Sequence, residues 1–337
     1  MLLPMIANGQ LGRPSAFNRD TNFVKSYDRE ITARLYLSQK YTSILMPGTS
    51  SVPAFRYRPN TTLNLGVGAT YRSFSLNLAY GFSGLNQGAE RRGDTRYLDL
   101  QAHLYAPQVV IDLFGQFYNG YYITPLDFVP NFSGYYLRPD MRVRLIGGSA
   151  YYVFNRNKFS YRAALIQNEW QTRSAGTLLV GAEAYYGNLS SDALLVPLEL
   201  AALYPQGEVR RLRFFNIGPG IGYAYTYVYR KHWFATGSLT INVPLDFVQE
   251  TSLAETRNKT TITPNFLYRL AIGYNSRRWI CTASLVNGTV TANGSFNDNS
   301  YRISTGNYRL TLAHRFDVTR KINKVLKPVD NLLREGP

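Results

Sequence analysis

The chain has 337 residues, with 37 Lys and Arg against 21 Asp and Glu, a formal net charge of +16. Only 17% of residues are charged while 14% are aromatic, with 27 tyrosines, which excludes a disordered basic chain. One cysteine excludes an intrachain disulfide framework, and no run of about 18 apolar residues offers a membrane helix. A β-barrel, which shows apolar residues only at every second position, remains open.

Met1–Ala7 is apolar, but it is too short and lacks the basic flank of a secretory signal. The stretch after it is polar, and residues 1–28 read as a flexible lead-in. From there the pattern has period two. Ile31, Ala33, Leu35 and Leu37 alternate with Thr32, Arg34, Tyr36 and Ser38. Leu63, Leu65, Val67 and Ala69 continue it, as do Phe74, Leu76 and Leu78, then Leu98, Leu100, Ala102 and Leu104, and finally Leu310 and Leu312. Such alternation marks strands with one apolar and one polar face. Several runs exceed the roughly 9 to 11 residues that a membrane-crossing strand needs.

Tight turns recur with a basic tip between aromatics, near residues 72, 156, 231 and 277; a further turn near 107 carries an aromatic on one side. Amphipathic rings favour the membrane-water boundary. Tyr71, Phe74, Tyr105, Phe154, Phe159, Tyr229, Trp233, Tyr274, Trp279 and Phe316 are therefore the predicted girdle on the periplasmic side. The segments 47–58, 83–95, 122–137 and 247–261 read as long polar loops on the opposite, extracellular side. Counting crossings gives an all-β, antiparallel transmembrane barrel of about 14 strands over residues 29–316. The count falls to about 12 if residues 193–203, interrupted by Pro197, fold inward instead. Gly218, Pro219 and Gly220 predict a bend or bulge within one strand. Residues 317–337 form a basic periplasmic tail, with helical spacing at Ile322, Val325, Leu326 and Val329.

Arg96–Tyr105, Val110–Tyr118, Arg138–Asp140, Phe159–Ala164, Gln167–Trp170 and Ser174–Gly176 together carry a resemblance. The chain resembles the family called domain of unknown function 4421, found in Bacteroidota, over roughly residues 27–316. The resemblance implies an outer-membrane protein of a Gram-negative bacterium made with a signal peptide. The start of this sequence departs from that, which points to a truncated beginning. The resemblance supplies no site residue.

Strand phase supplies candidates instead. Arg34, Lys40, Asp99, Asp112, Arg142, Arg144, Arg162, Glu183, Arg269, Arg309 and Arg315 fall on polar phases and are predicted to line the lumen. Closing the barrel sets the first and last strands side by side, so Arg34, Lys40, Arg309 and Arg315 share one basic wall. Charged linings select ions by sign, so the leading expectation is a passive, porin-like channel for small solutes, favouring anions. The alternative is a filled, non-conducting barrel that serves a larger envelope complex. No pair of His or Cys residues has metal-ligand spacing, and no motif couples Ser to His. The expectation is no enzyme, no cofactor and no nucleic-acid partner, with outer-membrane lipid and lipopolysaccharide as the contacts of the basic residues and an envelope protein complex as the further candidate partner.

Overall fold

The computed structural model describes residues 19–49, 52–71, 74–81, 89–296 and 300–318. Its first strands are β1 (Val24–Ser26), β2 (Glu30–Met46), β3 (Phe55–Arg58), β4 (Asn64–Tyr71) and β5 (Phe74–Gly81). Next come β6 (Arg96–Tyr105), β7 (Val109–Thr124), β8 (Leu137–Val153), β9 (Glu169–Gln171) and β10 (Ala175–Ser190). Then follow β11 (Val209–Tyr229), β12 (Trp233–Asn242), β13 (Leu245–Ser252) and β14 (Thr256–Ile262). The chain closes with β15 (Asn265–Asn275), β16 (Trp279–Asn293) and β17 (Ser300–Asp317).

Strands β2, β3, β7, β8, β10, β11, β12, β15, β16 and β17 form an antiparallel ring of 10. β2 pairs with β17 and β10 pairs with β11, so no edge is left in that ring. β12 with β13, β14 with β15, and β3 with β4 run as continuous crossings, which makes about twelve crossings among the described residues. The higher count needed a strand at 193–203. There the chain instead makes one helical turn, Leu198–Ala201, entered through Pro197, which cannot donate to a ladder. The lower count is therefore the one realised.

Side-chain alternation sets the wall. Thr32, Arg34, Tyr36 and Ser38 are buried, whereas Leu35 between them is 49% exposed. The exposed stripe continues around the ring through Val67, Leu113, Val180, Ile221, Leu239 and Leu270. A soluble protein would cover this surface, and a membrane barrel presents it to lipid. Leu239 lies six residues beyond Trp233, about 15 Å along the membrane normal at a tilt of ~40°, which is mid-membrane. Leu239→Arg is expected to cost ~2–4 kcal/mol of folding stability in a bilayer, while Leu239→Ile stays near neutral. Urea unfolding in lipid vesicles measures both.

Local sequence explains the irregularities. Pro219 in β11 stands opposite Val243 and Pro244, where β12 hands over to β13, so two residues without N–H meet at one break. A Cβ on Gly218 would lie 2.3 Å from Pro244 Cα, so only glycine admits this approach. The predicted loop at 247–261 is mostly strand, with β13 and β14 continuing the wall to a tip at 253–255.

Two other expectations change more. The turn expected near residue 156 is the start of a long inward excursion from Val153 to Ala175, with a π-helical turn at Arg162–Ile166 and the short strand β9. Residues 19–28, read as part of a flexible lead-in, are bound to that excursion: β1 pairs with β9, and Arg19 donates to the carbonyls of Arg156 (2.6 Å) and Phe159 (2.7 Å). Residues 1–18 and the predicted helical segment at 322–329 lie outside the described residues.

Candidate functional site

The lumen is filled at both ends by the chain itself. At the loop end the inward residues are apolar: Met141, Val143 and Leu145 of β8, Leu189 of β10, Leu212 and Phe214 of β11. Leu195, Val196 and Leu200 from the 191–208 segment pack among them. Tyr57 Oη donates to the Leu195 carbonyl at 2.5 Å, and Arg138 Nη2 donates to the Leu194 carbonyl at 2.7 Å. Tyr204, whose phenol is pushed up to about 12 by burial, stays protonated and donates to the Pro53 carbonyl at 2.5 Å. Within residues 187–212, the ends are wall strand and the segment 191–208 caps the loop mouth.

At the turn end the 154–174 excursion is a plug held by the basic wall. Arg315 donates to the Gln167 carbonyl (2.8 and 3.1 Å), the Glu169 carbonyl (2.9 Å) and Asn275 Oδ1 (3.1 Å). It also reaches the Ser276 carbonyl at 2.5 Å, and its guanidinium lies 4.2 Å from the Tyr27 ring. Arg34 Nη2 donates to the Ile166 carbonyl at 3.0 Å and to Thr70. Within the plug, Arg162 pairs with Asp28 (2.5 Å) and Glu169 (3.6 Å), and Arg19 pairs with Glu169 (2.8 Å). Trp170 Nε1 donates to the Lys231 carbonyl at 2.7 Å and fixes the plug's far side.

Between the two closures the lumen is polar. Asp112 holds Arg269 across the barrel and His103 Nδ1 at 2.6 Å. Lys40 pairs with Asp99 at 3.4 Å, and Tyr118 donates to Asp99 at 2.6 Å. Asn265 donates to Glu183 at 2.6 Å. A cavity of about 860 Å³ adjoins the basic wall, lined by Arg34, Arg309, Lys40, Asp99 and His103 among others. Arg34 is only 6% exposed and Arg309 lies 4.4 Å over the Tyr36 ring. Neither has a carboxylate partner among the described residues, and the Nε of each is buried without an acceptor. The same cavity touches Leu76 of β5 and Ala102 and Leu104 of β6, which lie on the outward phase. It reaches them because, among the described residues, β5 pairs only with β4 and β6 only with β7. The cavity thus opens sideways through the wall.

Of the residues predicted to line the lumen, Arg34, Lys40, Asp99, Asp112, Glu183, Arg269, Arg309 and Arg315 point inward. Arg142 and Arg144 do not: they are exposed on the outward phase of β8, because the lumen is apolar there and polar residues take the outside. Arg162 is buried, but in the plug rather than on a strand. In the predicted girdle, Phe154, Tyr229, Trp233, Trp279 and Phe316 are exposed at the turn rim, with Tyr71 and Tyr274 half-buried beside them. Tyr105 and Phe159 are corrections: both are buried, against Tyr161 of the plug. The side chain of Phe74 lies outside the described residues. A second aromatic band was missed, with Tyr186, Phe215, Phe247 and Phe266 exposed near the loop rim. Its signal was available: Phe215 and Tyr225 share one phase of β11 about ten residues apart, or ~25 Å along the normal.

Residues 18–316 match the family described as Domain of unknown function (DUF4421). The chain belongs to that family. Comparison with curated proteins found no match. Among solved structures, the outer membrane protease OmpT of Escherichia coli is 11% identical, with 87% of this chain and 98% of that one aligned at a TM-score of 0.36. The outer-membrane OmpT of Vibrio cholerae is 11% identical over 87% and 97%, at 0.30. The toluene transporter TodX of Pseudomonas putida is 7% identical over 86% and 91%, at 0.28. These likenesses concern the path of the chain and say nothing of activity.

Proposed function

We propose that this is an outer-membrane barrel of a Gram-negative, Bacteroidota-like envelope that encloses a solute chamber instead of an open pore. The observation that carries this reading is the cavity on the basic wall, between an apolar cap and a polar plug, with a side opening between β5 and β6. Its volume lies in the range of about 300–1,000 Å³ that holds small organic ligands. Arg309, half-buried on the cavity wall and without a carboxylate partner among the described residues, suits the acidic head of an amphiphile arriving from the bilayer. A freely open, anion-favouring pore has less support. Arg34 and Arg315 are occupied with plug carbonyls, and Lys40 and Arg269 are paired with Asp99 and Asp112. The same filled mouths support a second reading, a non-conducting barrel in an envelope complex; the unneutralised Arg309 favours the first. No catalytic step is proposed. His103 and Asp112 form a pair of the kind that bases use, but Asp112 is shared with Arg269 as part of the cross-lumen network.

Inserted and folded in a planar bilayer, the chain is expected to give no discrete conductance steps. In phosphatidylcholine bilayers, a doxyl-labelled stearic acid is expected to show an immobilised spin-resonance component that weakens in Arg309→Gln. Steps with an anion-selective reversal potential, or an immobilised component indifferent to Arg309, would overturn the reading.

A further inference from the structure

The outward surface of β8, β10, β11 and β13 changes character along a single line. The strand registers place Ile146, Tyr186, Phe215 and Phe247 side by side in one row. Two residues nearer the loop end, the next outward row is Arg144, Asn188, Arg213 and Gln249. The row beyond is Arg142, Ser190, Arg211 and Thr251. Apolar and aromatic side chains thus give way to arginines within one step of the pleat. An arginine on the lipid face is costly at mid-membrane and nearly free at the interface, so this line is the boundary between hydrocarbon and head groups.

Arg144, Arg211 and Arg213 have no carboxylate partner among the described residues, and all three are exposed. Arg142 is held by Asp192, at 2.9 and 3.0 Å. Arg144 and Arg213 both stand opposite Asn188, one on each side of β10, so their backbones are about 10 Å apart across two strand spacings. The result is two guanidinium columns flanking a small polar strand, directly above an aromatic band. Guanidinium groups match phosphate in geometry as well as charge.

We propose that Arg144 and Arg213, with Arg211 beside them, bind the phosphates of a lipopolysaccharide-type glycolipid in the loop-side leaflet, its acyl chains lying on the row of Ile146, Tyr186 and Phe215. The two separated columns select a head group that carries two phosphates. The site is on the outside of the barrel and independent of the chamber, so its test says nothing of the lumen.

The refolded chain in detergent micelles is titrated with diphosphoryl lipid A, and bound lipid is counted by native mass spectrometry. The double variant R144Q/R213Q is expected to bind at least ~10-fold more weakly, since each lost contact is a charge-assisted hydrogen bond. Both side chains are exposed and make no described bond, so folding is retained, and heat-modifiable mobility on a gel checks it. Dephosphorylated lipid A is expected to bind as weakly to the natural chain. Unchanged binding by R144Q/R213Q would overturn the site. Equal binding of phosphatidylglycerol would overturn the requirement for two phosphates.

Discussion

Arg315→Ala is expected to release the turn-end plug while the barrel stays folded. The Arg315 side chain donates to the carbonyls of Gln167, Glu169 and Ser276, and it stacks on Tyr27. Each hydrogen bond from a charged donor contributes about 1.5–3 kcal/mol net, and bonds from one side chain do not add fully. A loss of ~3 kcal/mol in the local opening of the plug is a reasonable sum, which corresponds to exchange about a hundredfold faster. Amide hydrogen exchange over residues 160–171 measures it directly. The ladders of β16 and β17 should keep their protection, because the pairing of those strands does not use the guanidinium. Arg315→Lys should recover only part of the effect, since a single ammonium cannot fork across two carbonyls. Uniformly raised exchange over the whole barrel would mean that Arg315 supports the wall and not the plug.

The barrel itself was legible because its outside is simple. Leu35, Val67 and Leu239 face lipid, and lipid demands apolar residues at every second position of every strand, so phase can be read from one face alone. The lumen obeys no such rule. Where it is polar, as around Arg34 and Asp112, the polar phase of the pattern coincides with the buried face. Around Met141, Val143 and Leu145 the lumen is an apolar core and the outside has already left the hydrocarbon, so the signs invert and Arg142 and Arg144 come out on the wrong face. The plug was hidden for a related reason. Phe159 and Tyr161 beside basic residues look like a rim turn, and burial against Tyr105 inside a barrel leaves the same local composition. Only a count of what a tight turn requires distinguishes them: the chain between Val153 and Ala175 is far too long for a two- to five-residue hairpin loop. At Gly218–Gly220 β11 runs on unbroken and the interruption falls in the facing ladder, between β12 and β13, where Pro244 is revealed only by the register.

The pair of Arg269 and Asp112 is where the wall meets the plug, and removing one member should have the largest effect on global stability. Arg269 is 1% exposed and Asp112 is fully buried. Arg269 also lies 5.6 Å under the Tyr161 ring, whose hydroxyl is 2.6 Å from Ser238 Oγ. Arg269→Met leaves a desolvated carboxylate held only by hydrogen bonds to His103 and Tyr105 among the described residues, and breaking a buried pair in this way costs ~3–5 kcal/mol. Asp112→Asn combined with Arg269→Met removes both charges and should recover most of that, because an apolar or neutral pair of similar volume needs no desolvation. Urea unfolding in lipid vesicles, run as a double-mutant cycle, gives the coupling. A coupling below about 1 kcal/mol would mean that water reaches both groups and that the lumen at this level is open. A large one would identify a sealed cross-lumen strut, and the contrast with Arg315→Ala would then separate the two tasks of the basic lumen: Arg269 holds the barrel together, and Arg315 holds the plug in it.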